Sequence, residues 1–254
     1  MCFDEDAQPP IPRIAGGAVD AERLHLTAAD GDRFVAFSAR AAATPTEAAM
    51  LILPDVRGLH RYYEELAVRL AGAGIDALAI DYFGRTAADD DRGPSFESMS
   101  HVPLTTYAGL RADMAAAASS LQALGPRRLF TMGFCFGGRL AFLTATMPEL
   151  AVSGAIGFYG WPTGHSRNDT PAPADVAGQN LAPVLGLFGG ADQGITAEVV
   201  ATYEAALDAA GAEHELISYP GAPHSFFDRR HTDFAAASED AWRRILDFVA
   251  SAAS

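Results

Sequence analysis

Leu129-Phe130-Thr131-Met132-Gly133-Phe134-Cys135-Phe136-Gly137-Gly138 is the stretch that decides how this chain is read. Its first four residues form an apolar run of strand type, preceded by a turn signal at Gly125-Pro126. The segment that follows, Arg139-Leu140-Ala141-Phe142-Leu143-Thr144-Ala145, is competent to be a helix. Between them lies Gly-x-Cys-x-Gly-Gly, the pattern of a nucleophile elbow with cysteine where serine is usual. Such a turn holds its nucleophile in a strained backbone conformation. Side chains at the flanking glycines would collide with the neighbouring strand and helix. The competing reading is a buried structural cysteine in a tight strand-to-helix turn, since free cysteine is among the most buried residue types.

Moving outward, apolar runs and helical patterns alternate. Ala49-Met50-Leu51-Ile52-Leu53 reads as a strand buried on both faces of a parallel sheet, ending in the loop Pro54-Asp55-Val56-Arg57-Gly58. Residues 62–73 form an amphipathic helix stopped by glycine, and residues 75–80 a strand ending in Asp81-Tyr82-Phe83-Gly84-Arg85. Residues 87–103, with Asp89-Asp90-Asp91, read as a surface loop with a solvated acidic run. An Ala-rich helix over residues 105–124 leads to the elbow strand. Beyond the elbow, strands are expected at residues 152–158, 184–188 and 214–219, and helices at residues 197–210 and 234–250. Residues 163–181 form a polar, Pro-rich rim or lid loop. Upstream, Leu24-His25-Leu26-Thr27 and Arg33-Phe34-Val35-Ala36-Phe37 flank Asp30-Gly31, a hairpin signal. The expectation is one α/β domain over residues 1–254, a doubly wound, mostly parallel sheet with an antiparallel N-terminal hairpin and an irregular leader over residues 1–17.

Composition narrows the function classes. A formal net charge of −14 argues against nucleic acid, which calls for a basic face. No apolar stretch approaches the ~20 residues of a membrane span. The acidic start Met1-Cys2-Phe3-Asp4-Glu5-Asp6 lacks the pattern of a signal peptide. The two cysteines, Cys2 and Cys135, are poorly placed for a structural disulfide, which fits a reducing, cytoplasmic setting. No histidine pair stands with Cys or Glu at zinc-ligand spacing, so no metal is expected. His25, His60, His101, His165, His214 and His231 lack the context of a catalytic base.

A thiol nucleophile needs a base, and the base needs an acid to fix its tautomer. Asp192 follows the strand at residues 184–188, and His224 follows the strand at residues 214–219. The order Cys135, Asp192, His224 is the nucleophile–acid–histidine order of α/β-hydrolases, and strand-end placement brings all three to one sheet edge. Singly, Asp192 could be the N-cap of the next helix and His224 a loop histidine packed on Phe226.

These residues resemble the dienelactone hydrolases, over nearly the whole chain from about Leu24 to Phe248. The resemblance rests on Gly133-Phe134-Cys135-Phe136-Gly137-Gly138, Asp81-Tyr82-Phe83-Gly84-Arg85, Gly157-Phe158-Tyr159-Gly160, Gly190-Ala191-Asp192 and His224-Ser225-Phe226. It implies an α/β-hydrolase fold and a carboxylic-ester hydrolase with a Cys-Asp-His triad and no cofactor. It also implies an unsaturated lactone substrate bearing a carboxylate. An acidic residue after the third strand would hold the resting thiol; here Pro54-Asp55 stands where His-Glu is common, placing Asp55 in that role. Arg85 aligns with the first of two carboxylate-binding arginines. The second is expected soon after the catalytic histidine, where this chain has Phe227-Asp228-Arg229-Arg230, making Arg229 the candidate. Arg57 is a further cation at the site edge, and Tyr159 and Phe226 complete the expected substrate contacts.

The chemistry expected is attack by Cys135 on an ester or lactone, with His224 as base. The backbone N–H groups of Phe136 and Val56 would hold the oxyanion. A small-molecule ester or lactone is the partner, and assembly is left open between monomer and homodimer. The alternative class is a non-catalytic thiol sensor or ligand-binding protein on the same fold. A cysteine-elbow amidotransferase or protease-like protein would place its histidine directly after the cysteine, where Phe136 stands.

Overall fold

The computed structural model describes residues 7–11, 19–41, 46–125, 127–228 and 231–251. Cys2, most of the leader and Arg229 therefore lie outside the described residues. Eight strands form one sheet in the order β1-β2-β4-β3-β5-β6-β7-β8. They are β1 (Val19–Thr27), β2 (Arg33–Ala41), β3 (Ala48–Leu53), β4 (Asp76–Ile80), β5 (Arg128–Phe134), β6 (Gly154–Phe158), β7 (Val184–Gly189) and β8 (His214–Tyr219). β1 and β2 are antiparallel, β2 joins β4 antiparallel, and the pairings from β4 through β8 are parallel.

The inner strands β3 to β7 are buried almost throughout because helices cover both faces, whereas the edge strands β1 and β8 carry polar, partly exposed residues. β3 is buried at all six positions. Its Met50 and Ile52 point into one core with Tyr62 and Leu66 of α1 (Arg61–Gly72) and Ile245 of α6 (Ala235–Ser251). Its Ala49, Leu51 and Leu53 point into the other, with Leu110, Met114 and Leu121 of α3 (Tyr107–Gln122). This alternation is the period of two that strand geometry imposes. α4 (Phe136–Thr144) follows the elbow strand, and its Phe142 ring packs 5.1 Å from Tyr203 of α5 (Ala197–Ala210). α5 spans the residues that periodicity predicts, and ends at Gly211 with φ 66°, a left-handed stop that favours glycine.

The hairpin is longer than the two short runs around Asp30-Gly31 indicate. The reading of residues 87–103 as a surface loop is corrected in part. They contain α2 (Ser98–His101) and run into a 3₁₀ turn over Val102–Leu104. Arg92 of this stretch is buried and makes a bidentate pair with Asp81, Nε to Oδ1 at 3.0 Å and Nη2 to Oδ2 at 2.8 Å. Asp81 also accepts the backbone N–H groups of Leu59 and Phe83, so its carboxylate ties three segments together. The acidic run itself is peripheral: Asp89 and Asp90 have exposed side chains.

Candidate active site

Parallel strands end on one edge, and the elbow sits in the middle of it. Leu53 pairs with Gly133, and Phe134 with Phe158, so the loops after β3, β5 and β6 are level. Cys135 has φ 54° and ψ −110°, a conformation non-glycine residues rarely adopt. Its N–H donates to the Phe158 carbonyl at 3.0 Å, which holds the turn against β6. The flanking glycines are needed for space. A Cβ on Gly133 would overlap the Gly137 carbonyl, and one on Gly137 would overlap the Leu53 carbonyl. α4 begins at the next residue, so the Phe136 N–H is one of the unpaired donors at a helix N-terminus.

Cys135 is 9 % exposed and forms part of the floor of a cavity of about 350 Å³. Val56, Met99, Val102, Phe136 and Trp161 supply the apolar wall. Arg139, His165, Ser166 and Arg167 supply the polar one. The loop after β3, which carries Val56, is pinned from below. The Tyr82 hydroxyl donates to the Pro54 carbonyl at 2.8 Å, and the Asp55 N–H donates to the Tyr63 hydroxyl at 2.7 Å.

His224 and Asp192 come together from the loops after β8 and β7. His224 Nδ1 lies 2.6 Å from Asp192 Oδ2. A carboxylate there requires the proton on Nδ1, which leaves the Nε2 lone pair as the basic site. The second oxygen of Asp192 accepts the N–H groups of Gly194 at 2.8 Å and Ile195 at 3.2 Å. Burial pushes the Asp192 carboxyl up, but His224 and these two donors outweigh it, and the net position is below the ordinary Asp value. The N-cap of α5 is Thr196, so Asp192 is not spent on that helix end. The His224 ring lies between aromatics, 4.7 Å from Tyr159 and 5.0 Å from Trp161, a cavity-lining residue.

The expected substrate contacts are not all where the sequence suggests. Tyr159 and Phe226 are fully buried and do not line the cavity. Tyr159 stands behind His224 and donates its hydroxyl to Asp228 Oδ2 at 2.7 Å; Phe226 packs 5.0 Å from Tyr219 and 5.9 Å from Tyr159. Tyr159 thus packs on the His224 ring, and Phe226 packs on Tyr159. Asp55 is also fully buried, accepting the Arg57 N–H at 2.8 Å, with His60 Nε2 4.0 Å away. Arg57 lines a separate depression beside Arg61 and Arg92. Arg85 is not among the residues lining the cavity and is held by acids. Its guanidinium meets Asp30 and Asp113 at 2.6 Å each, with Asp32 at 3.7 Å.

Arg139, Trp161 and the run His165-Ser166-Arg167 were not singled out by their sequence as site residues. Arg139 could have been, because it is the one charged residue in the apolar helix after the elbow. Its buried guanidinium donates to the carbonyls of Trp161, Thr163, Gly164 and Thr170 at 2.9–3.2 Å, fastening the loop after β6 over the cavity. Among the described residues no group of three or more His, Cys, Asp or Glu could hold a metal ion. No helix among them is long and apolar enough to cross a membrane.

Comparison with known proteins agrees with this architecture. The sequence model of the Dienelactone hydrolase family matches residues 34–253. The chain is 35 % identical over 213 residues to "Putative carboxymethylenebutenolidase" of Escherichia coli O157:H7, covering 78 % of this chain and 75 % of that protein. It is 32 % identical over 253 residues to a protein of the same name in Methylorubrum extorquens, covering 95 % and 84 %. The crystal structure of a "Putative Dienelactone Hydrolase" from Klebsiella pneumoniae superposes with a TM-score of 0.79 at 28 % identity, over 92 % of this chain and 99 % of that one. The fold is that of the α/β-hydrolases. The protein is a carboxylic-ester hydrolase, and the chain belongs to the dienelactone hydrolase family.

Proposed function

We propose that this hydrolase opens activated carboxylic esters or lactones through Cys135, with His224 as base and Asp192 as its orienting acid. The observation that carries the proposal is the 2.6 Å contact of His224 with Asp192 beside a cavity whose floor includes the strained Cys135.

In this reading His224 Nε2 takes the Cys135 Sγ proton, and the thiolate attacks the acyl carbonyl carbon. The N-terminus of α4 favours the developing thiolate and oxyanion. The oxyanion is received by the Phe136 N–H and by a second donor from the loop after β3, which Val56 brings to the cavity wall. Collapse breaks the carbon–oxygen bond to the leaving alkoxide or enolate, which takes the proton from His224. A thioester on Cys135 remains. Water gives its proton to His224 and attacks the thioester, releasing the carboxylic acid and restoring the thiol. Thiolate leaves more readily than alkoxide from a tetrahedral centre, so a good leaving group such as an enolate or a phenolate is the suitable substrate.

Mass spectrometry of the enzyme quenched during turnover of p-nitrophenyl acetate tests this. The expected result is a transient gain of one acetyl group on the peptide containing Cys135, and no turnover by Cys135→Ala. Turnover without acylation of Cys135 would place catalysis elsewhere. Stable acylation without turnover would make Cys135 a reactive thiol only.

A further inference from the structure

The cavity over Cys135 is cationic in a chain whose formal net charge is −14. Its lining includes Arg139, His165 and Arg167, and no Asp or Glu. Arg139 is 3 % exposed and forms no ion pair among the described residues; its partners are four carbonyl groups, and its Nε–H has no acceptor there. No carboxylate among the described residues comes within ion-pair distance of it; Asp175 offsets its charge only from farther away and does not line the cavity. Arg167 is exposed on the loop that Arg139 fastens, and makes no hydrogen bond or ion pair among the described residues. By contrast, Arg85 is neutralised by Asp30 and Asp113, and Arg57 faces another depression.

We propose that Arg167 and His165, on the loop after β6, form the anion-recognising edge of this cavity, backed by the buried charge of Arg139. The chain's ester or lactone then carries an anionic group toward that loop, with its apolar body against Trp161, Met99 and Val102. A guanidinium that has no internal carboxylate is available to pair with one on the substrate. This inference rests on the reading of Cys135 as the nucleophile at the cavity floor, so its test must separate the two.

Two readouts do so. The first is kcat/KM for the mono-p-nitrophenyl ester of a dicarboxylic acid, divided by that for the p-nitrophenyl ester of the matching monocarboxylic acid. The second needs no hydrolysis: the rate at which the Cys135 thiolate displaces iodide from iodoacetate, divided by the rate for iodoacetamide, followed on the Cys135 peptide. Loss of one charge-assisted hydrogen bond predicts that Arg167→Ala lowers both ratios by about tenfold or more, the ester ratio through KM. Arg167→Glu lowers them further, and added salt shrinks the wild-type ratios. Arg85→Ala leaves the ratios in place. Ratios unmoved by Arg167→Glu, or moved by Arg85→Ala alone, overturn the inference and leave the hydrolytic reading standing. No Cys135-dependent hydrolysis, with an alkylation ratio that still collapses in Arg167→Glu, upholds the inference and removes the hydrolytic reading.

Discussion

Asp192 Oδ2 and His224 Nδ1 lie 2.6 Å apart, although the residues are separated by 32 positions and leave different strands. The other Asp192 oxygen is saturated by two backbone donors, so the carboxylate cannot turn without losing both. Asp192→Asn would replace an acceptor by an amide and release the Nδ1 tautomer. The expected loss in kcat is about 10³–10⁴-fold, with the circular-dichroism spectrum unchanged. The Asp192 carboxyl sits below its ordinary value of 3.8, so the stability it contributes is complete above that pH and lost as pH falls through the lower folded value. A fall in activity between pH 5 and 7 in wild type would therefore not be titration of Asp192.

Gly133 is a second point of test, because its Cα faces the backbone of Gly137 across the elbow. Gly133→Ala pushes a methyl group into a carbonyl that cannot move without unseating α4. The expected cost is about 4 kcal/mol or more, seen as loss of soluble protein and not as an altered KM. Soluble, active Gly133→Ala would refute this account of the turn.

Arg139 is predicted to be a positioning residue for residues 161–170. Arg139→Met keeps much of the apolar stem but strands four carbonyls, at a cost of about 2–4 kcal/mol. Limited proteolysis should then cut first within residues 161–170. Arg139→Lys should rescue stability only in part, since one ammonium cannot reproduce a planar fork across four acceptors. Equal proteolysis of wild type and Arg139→Met would show that the loop holds itself.

His60 predicts a pH effect with a definite sign. Burial, with the neighbouring Arg57 charge, depresses its imidazole from 6.5 to about 3. The unfolded chain therefore binds a proton between those values that the folded chain does not. Stability falls as pH is lowered from 6.5 toward 3, and this residue contributes no slope above 6.5. His60 also caps α1 by accepting the Tyr62 N–H at 3.4 Å, a task asparagine can perform. Between pH 7 and 5, the Tm of His60→Asn should fall less than that of wild type. A parallel fall in both would remove His60 as the source.

Much of this protein was legible in its sequence because the information is local. The elbow is spelled by glycines whose reason is contact with near neighbours, Gly133 against Gly137. The strands ending before Cys135 and Asp192 are spelled by apolar runs and the one before His224 by a shorter apolar centre, Leu216-Ile217, and parallel pairing sends their ends to one edge. Residues 87–103 were less legible, because the burial of Arg92 depends on Asp81, eleven positions earlier. Nothing in a short polar loop announces such a partner.

By itself, the sequence determined the sheet, the elbow and the order of Cys135, Asp192 and His224 along the chain. Each of these follows from near-neighbour sterics or from the periodicity of a single element. Which cations serve the cavity was decided only by tertiary structure. Arg85 stands at a strand end where a substrate-binding arginine is expected, yet Asp30 and Asp113, 55 and 28 positions away, close on it. Arg167 lies in the polar loop read only as a rim or lid, and it lines the cavity with Cys135 while making no ion pair among the described residues. A charge is defined by what surrounds it in space, and for these two arginines the surroundings exist only once the chain has folded.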